Sequence, residues 1–299
     1  MLPANPQCPN GIGAAFYDLD GTILNLEYIS PRTIAAMESA TRAGCVNVVC
    51  TGRNFPIVPD ILKYGSMDLF ITVNGGQIID PLGNHLLSKA IPKKTALELA
   101  SWLHEEGAGL NCLTSISAYF ENRLVSYMTQ AVHRVENSDR LTDEALSLEI
   151  TSQKNKLIVD DITPALEFVD DETNFVEKMG ACFDTEDDLK RCVAQLEARG
   201  DLQIAVVTPT EIEITLLGVE KGSGIEWVMT QLGLDKSQLV CFGDSGNDLP
   251  MRPYVGTFVA VGNASDEVKA IADVIVDDIA GDGVAKWLEA ALRGEAYHL

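Results

Sequence analysis

The chain has 299 residues, 46% hydrophobic and 22% charged, the composition of a soluble globular protein with length for two domains. Its 44 acidic residues outnumber 22 Lys and Arg, and the net charge of −22 argues against nucleic acid or an anionic membrane surface as partner. No apolar stretch approaches the ~20 residues of a membrane span, a cationic leader start is missing before Arg32, and the seven cysteines (8, 45, 50, 112, 182, 192 and 241) lack C-x-x-C spacing, so reduced thiols in a cytoplasmic protein are expected.

The apolar run Ala14-Ala15-Phe16-Tyr17 reads as a buried strand and opens into Asp18-Leu19-Asp20-Gly21-Thr22. Two carboxylates at about 4 Å repel by roughly 4 kcal/mol at an effective dielectric near 20. A helix cap explains one of these aspartates; the pair calls for a cation, a shared proton or a reaction intermediate. Ser30-Pro31 predicts a helix start, and Gly44 its end. The run 47–50 is a second strand, ending in Thr51-Gly52-Arg53-Asn54 before a helix with Pro56 in its first turn. That connection is either an ordinary strand–helix turn or an anion cradle at a helix N-terminus. A third strand over 69–73 runs into Asn74-Gly75-Gly76, and a hairpin around Asp80-Pro81-Leu82-Gly83-Asn84 is a plausible exit from the core.

From about residue 93 the pattern changes to a helix that stops at Gly107 and short strand-like runs over 117–120 and 156–159. A charged helix over 186–199 and strands over 203–207 and 211–217 complete an α+β segment. The acidic stretches Asp160-Asp161 and Asp170-Asp171-Glu172 read as solvated faces, and the four histidines as surface or packing residues. Strict strand–helix alternation then returns until Leu292. Lys221-Gly222 precedes a helix, where a lysine is either solvated or a cation that balances the aspartates and grips phosphate. The strand 239–242 ends in Gly243-Asp244-Ser245-Gly246-Asn247-Asp248, so a second strand terminates in carboxylates. In an open parallel sheet such strand ends are expected to converge on one site. A hard, oxygen-only ligand set suits Mg²⁺.

The ordered set Asp18-x-Asp20-Gly21-Thr22, Thr51-Gly52-Arg53, Lys221-Gly222 and Gly243-Asp244-x-x-Asn247-Asp248 resembles the four motifs of the haloacid dehalogenase superfamily, and more narrowly its Cof-type phosphatases, subfamily IIB. Val73-Asn74-Gly75-Gly76 and the tail from Val259 to Ala264 fit the same group, whereas 84–210 matches only in length and rhythm. Ser245 stands where many Cof-type members carry glycine; serine is common in related phosphatases of the sucrose-phosphate and mannosyl-phosphoglycerate type. The resemblance implies an α/β fold: a doubly wound parallel core over 1–83 and 211–299, with an inserted α+β cap of the C2B type over 84–210.

It also implies an Mg²⁺-dependent phosphatase acting on a small phosphorylated metabolite, a sugar phosphate or similar. Asp18 is then the nucleophile that forms an aspartyl-phosphate, and Asp20 the general acid and base. Asp18, Asp244 and the backbone carbonyl of Asp20 would ligate the metal, with Asp248 orienting Lys221 or a metal-bound water. Thr51, Gly52, Lys221 and Asn247 would hold the phosphoryl oxygens, and the cap would set specificity. Asn111, Thr114 and Tyr119 are candidate lining residues, with packing as the competing role. A phosphotransferase or phosphomutase on the same fold is the nearest rival. A serine hydrolase built on Gly243-Asp244-Ser245-Gly246 is a distant one.

Overall fold

The computed structural model describes residues 11–26, 28–63, 65, 67–127, 156–170 and 172–297; Cys8 and Asp171 lie outside these. Strand β1 (Ala14–Tyr17) is apolar and wholly buried. The hydroxyl of Ser30 accepts from Thr33 N–H at 3.1 Å to start α1 (Pro31–Arg42), and Pro31 occupies a first turn that needs no N–H. Next come β2 (Val46–Cys50) and, where a helix was expected, only a 3-10 turn at Phe55–Ile57 and the single turn α2 (Asp60–Lys63). Strand β3 (Leu69–Thr72) leads into the hairpin β4 (Gln77–Ile79) and β5 (His85–Ser88).

The chain continues through α3 (Lys93–Glu105), β6 (Gly109–Thr114), β7 (Ala118–Glu121) and β8 (Lys156–Val159). It then forms α4 (Thr163–Leu166), β9 (Val176–Cys182), α5 (Glu186–Glu197), β10 (Leu202–Thr208) and β11 (Glu211–Leu216). Helix α6 (Lys221–Leu232) and β12 (Leu239–Gly243) follow, then a long 3-10 segment, Gly246–Tyr254. Pro250 and Pro253 inside that segment lack the N–H groups a regular α-helix would need. Strand β13 (Thr257–Ala260), α7 (Asp266–Ile271), β14 (Val274–Ile275) and α8 (Gly283–Leu292) end the chain's regular structure.

Two compact units emerge: one of Met1–Arg53, Val58–Ser88 and Val219–Leu299, the other of Asn54–Ile57 and Lys89–Gly218. The first holds an eight-stranded sheet in the order β14-β13-β12-β1-β2-β3-β4-β5. Its strands from β14 through β3 are parallel, and only β4 and β5 run antiparallel. Chain order reverses at β1, which lies between β12 and β2, and a switch point of this kind opens a crevice at the carboxyl ends of the strands.

The second unit holds a six-stranded sheet, β10-β11-β9-β6-β7-β8, antiparallel except between β7 and β8. Its core joins Leu99 and Leu103 of α3, Leu166 of α4, and Leu189, Cys192 and Leu196 of α5 to Met179, Ile212 and Ile214 of the sheet. The junctions fall elsewhere than 83/84 and 210/211. Residues 85–88 pair with β4 in the first sheet, whereas 211–216 pair with both β10 and β9 in the second. Asn54–Ile57 joins the second unit because Asn54 Nδ2 donates to the carbonyls of Thr114 (2.7 Å) and Ser117 (3.1 Å), while Ile57 packs beside Leu113 and Phe120.

Within the second unit His104 is more than a surface residue. Its Nε2 lies 2.5 Å from Glu121 Oε1, and its Nδ1 lies 3.9 Å from Asp161. Buried Glu121 also accepts from the backbone N–H groups of Leu110 and Ile162, so this group clasps α3 to β7 and to the start of α4. Asp161 accepts from Thr163 N–H and Asp170 from Thr173 and Asn174 N–H, so both shape turns as well as facing solvent. Tyr119 packs against the unit's core, and Thr114 is fully buried with its hydroxyl donating to Ser117 O.

Candidate active site

The loops at the carboxyl ends of β1, β2 and β12, with the start of α6, carry the predicted residues. Asp18 follows β1 directly, is 4% exposed, and its N–H donates to Phe242 O at 3.1 Å. Lys221, the first residue of α6, is fully buried, and its Nζ donates to Asp18 Oδ1 at 2.6 Å and to Asp248 Oδ1 at 2.7 Å. The other oxygen of Asp248 accepts from the backbone N–H groups of Asp244 (2.9 Å) and Ser245 (3.1 Å). Both Asp248 oxygens are therefore engaged, and the residue ties Lys221 to the loop after β12.

Asp244 is half-buried and accepts from the Thr22 hydroxyl at 3.1 Å. Gly21 above it has φ +82°, and a Cβ there would sit 2.4 Å from Asp244 Oδ2, so only glycine fits the approach. Asn263 fixes that turn by donating to Gly21 O at 2.8 Å. Sequence reasoning quoted Asn263 with the tail but gave it no task.

Asp18, Asp244 and Asp248 offer carboxylate oxygens within 4.8 Å of one another. Burial raises the Asp18 carboxyl well above its usual range; Lys221 opposes this, while Asp248 and Asp244 add to it. Asp244 is raised by burial and by Asp248. Burial alone would lower the Lys221 ammonium, but Asp18 and Asp248 outweigh it and hold the group charged. Three carboxylates around one ammonium leave two negative charges uncompensated in a buried place, and every donor is a hard oxygen. That balance fits a divalent cation.

Asp20 stands apart from this cluster. Its exposed carboxylate is gripped by Arg53, whose Nη2 lies 2.6 Å from Oδ1 and Nε 2.9 Å from Oδ2. Thr51 is buried, its hydroxyl accepts from Arg53 N–H at 3.1 Å, and its carbonyl accepts from Asn74 N–H at 3.0 Å. Gly52 lies half-buried between them. Asn247 accepts from the Ser245 hydroxyl at 2.9 Å and donates to Asn74 Oδ1 at 3.4 Å. With its hydroxyl donating to Asn247 and its N–H to Asp248 Oδ2, Ser245 is engaged structurally and not primed as a nucleophile. Arg53 was read as part of Thr51-Gly52-Arg53, without its partner, and Asn74 as part of Val73-Asn74-Gly75-Gly76, without a task.

A family profile for haloacid dehalogenase-like hydrolases matches residues 15–288. The chain belongs to that family. This hydrolase is 27% identical over 281 residues to the phosphatase YwpJ of Bacillus subtilis, covering 92% of this chain and 98% of the relative. It is 26% identical over 280 residues to the pyridoxal phosphate phosphatase YbhA of Escherichia coli, covering 92% and 97%. A solved haloacid dehalogenase-like hydrolase from B. subtilis superposes with TM-score 0.79 at 25% identity, over 93% of this chain and 99% of that one. The subclass IIB sugar phosphatase BT4131 shares the fold, with TM-score 0.71 at 23% identity over 92% and 97%. The α/β core with its parallel sheet is thus the family's fold, and the protein is an enzyme of the haloacid dehalogenase-like phosphatase type. Among the described residues no helix is long and apolar enough to cross a membrane.

Proposed function

We propose that this hydrolase removes the phosphoryl group from a small phosphorylated metabolite, a sugar phosphate or similar, through an aspartyl-phosphate on Asp18. The observation that carries the reading is the buried Asp18–Lys221–Asp248 chain at a strand end, with Asp244 beside it. Asp18 and Asp244, with the backbone carbonyl of Asp20, would hold Mg²⁺. The ion would supply positive charge to the phosphoryl oxygens and offset the carboxylates.

An Asp18 carboxylate oxygen attacks phosphorus, and the bond from phosphorus to the leaving oxygen breaks. Asp20 in its acid form gives the leaving oxygen a proton. Asp20 then takes a proton from water as that water's oxygen attacks phosphorus, which frees Asp18 and releases inorganic phosphate. Lys221 favours the ionised form of Asp18 against its burial and, with Thr51, Gly52 and Asn247, stabilises charge on the phosphoryl oxygens in the transition state. Arg53 holds the Asp20 carboxylate in a fixed direction between these proton transfers.

The second unit would serve as the cap that contacts the leaving group, which makes it the seat of specificity. Of the three lining candidates, Asn111 has its side chain over Gly180, while Tyr119 packs against the unit's core and Thr114 is buried. The six described cysteines are all buried free thiols, which supports a cytoplasmic setting.

Hydrolysis of p-nitrophenyl phosphate and of a panel of phosphorylated metabolites, with Mg²⁺ and with EDTA, tests the proposal. The reading requires metal-dependent release of inorganic phosphate. Full activity in EDTA, or isomerised substrate without phosphate release, would count against it, the second in favour of a phosphomutase.

A further inference from the structure

The turn after β3 is unusual. Val73, Asn74 and Gly75 have φ of +54°, +54° and +96° in succession. A β-branched residue such as Val73 rarely adopts that region, and strain of this kind persists only where surrounding contacts over-determine it. The contacts are present. Val73 N–H donates to Arg53 O at 2.9 Å, and Asn74 N–H donates to Thr51 O at 3.0 Å. Gly75 packs so closely on the start of α6 that a Cβ would lie 2.2 Å from Glu220 O. The turn is thus pinned between the loop after β2 and the residue preceding Lys221. What it presents is the side chain of Asn74, whose Oδ1 accepts from Asn247 Nδ2 at 3.4 Å.

Asn247 is held from its other side as well. The Asp248 N–H donates to the Ser245 backbone carbonyl at 3.0 Å, and the Ser245 hydroxyl donates to Asn247 Oδ1 at 2.9 Å. These two bonds hold the carboxamide with its oxygen toward Ser245 and its nitrogen toward Asn74. One Nδ2 hydrogen is then engaged and the second is left with a fixed direction.

We infer that Asn74 and Ser245 are positioning residues that clamp the Asn247 carboxamide so that its remaining N–H is pre-aimed at a phosphoryl oxygen. The inference rests on the reading of Asn247 as a phosphate ligand. The clamp saves the ordering of a freely rotating amide on binding and keeps the oxygen end, which would repel an anion, turned away.

The experiment measures p-nitrophenyl phosphate turnover and inhibition by inorganic phosphate for Asn74→Ala and Ser245→Ala, each alone and combined with Asn247→Ala, with Ser245→Thr as the variant that keeps the hydroxyl. Each alanine variant is expected to raise the inhibition constant for phosphate about 5- to 10-fold, the scale of one hydrogen bond. Ser245→Thr should stay within about twofold of the parent, and the alanine changes should add almost nothing on the Asn247→Ala background. Full effects that persist without the Asn247 amide, or no effect at all, would overturn the clamp while leaving the phosphatase reading intact. A parent enzyme with no Asp18-dependent turnover would instead remove the reading itself, and the clamp with it.

Discussion

The ammonium of Lys221 lies 2.6 Å from Asp18 Oδ1 across 203 residues of sequence, buried without solvent contact. The fold brings it there by starting α6 at the residue that must face the end of β1. Replacing Lys221 with Met keeps the volume and removes the charge, leaving Asp18 and Asp248 as buried carboxylates without their cation. Loss of one member of such a pair costs about 3–5 kcal/mol. Urea unfolding of Lys221→Met should show a drop of that order, and kcat/KM should fall by about 10²- to 10³-fold. Unchanged stability together with unchanged kcat/KM would deny Lys221 both tasks.

Asp20 is tested by leaving-group dependence. A general acid matters most when the departing alkoxide is basic and least when it leaves readily, as p-nitrophenolate does. Asp20→Asn should lower kcat/KM by about 10²- to 10⁴-fold for an alkyl phosphate such as glycerol phosphate, and by clearly less for p-nitrophenyl phosphate. Equal losses on both substrates would point to a role in binding rather than in proton transfer.

Gly21→Ala addresses the metal. The added Cβ would meet Asp244 Oδ2 at 2.4 Å, and φ +82° is strained for alanine. Displacing that carboxylate should raise the Mg²⁺ concentration for half-maximal activity by about 10- to 100-fold, the scale of lost support around a metal ligand. A titration of activity against Mg²⁺ that overlays the parent's would show that Asp244 is not a ligand.

Glu177, in β9, is fully buried, and neither carboxylate oxygen has a hydrogen-bond partner. Burial pushes its carboxyl up from 4.5 to about 8, with Lys178 opposing. The folded state therefore keeps a proton that the unfolded chain releases. Stability contributed by this group is present below pH 4.5, is lost as pH rises from there to about 8, and falls no further beyond. The loss approaches about 1.4 kcal/mol per pH unit within that window. Glu177→Gln should remove this slope and stabilise the protein near pH 8, as read by thermal unfolding at pH 5, 6.5 and 8. A variant that tracks the parent at all three would place the titration elsewhere.

The convergence of Asp18, Lys221, Asp244 and Asp248 was legible because each closes or opens an element whose apolar pattern is clear, and parallel strand ends share one edge of the sheet. The partner of Asp20 was not, because Arg53 reaches it by side-chain direction, which spacing does not encode. After β12 strand–helix alternation led to the expectation of a helix, but Pro250 and Pro253 lack the N–H groups it needs, and the segment is 3-10 instead. The 211–216 run showed its strand character locally but not its sheet, since alternation says nothing of which edge a strand joins. Asn54–Ile57 escaped for the same reason: its membership rests on bonds to Thr114 and Ser117, some 60 residues on.

The most direct measurement is the turnover of Asp18→Asn beside the parent enzyme in saturating Mg²⁺, with thermal unfolding to verify the fold. The exchange keeps shape and removes the nucleophilic carboxylate. Phosphate release should fall to background while the variant remains folded. Phosphate release at the parent's rate from the folded variant would contradict the account.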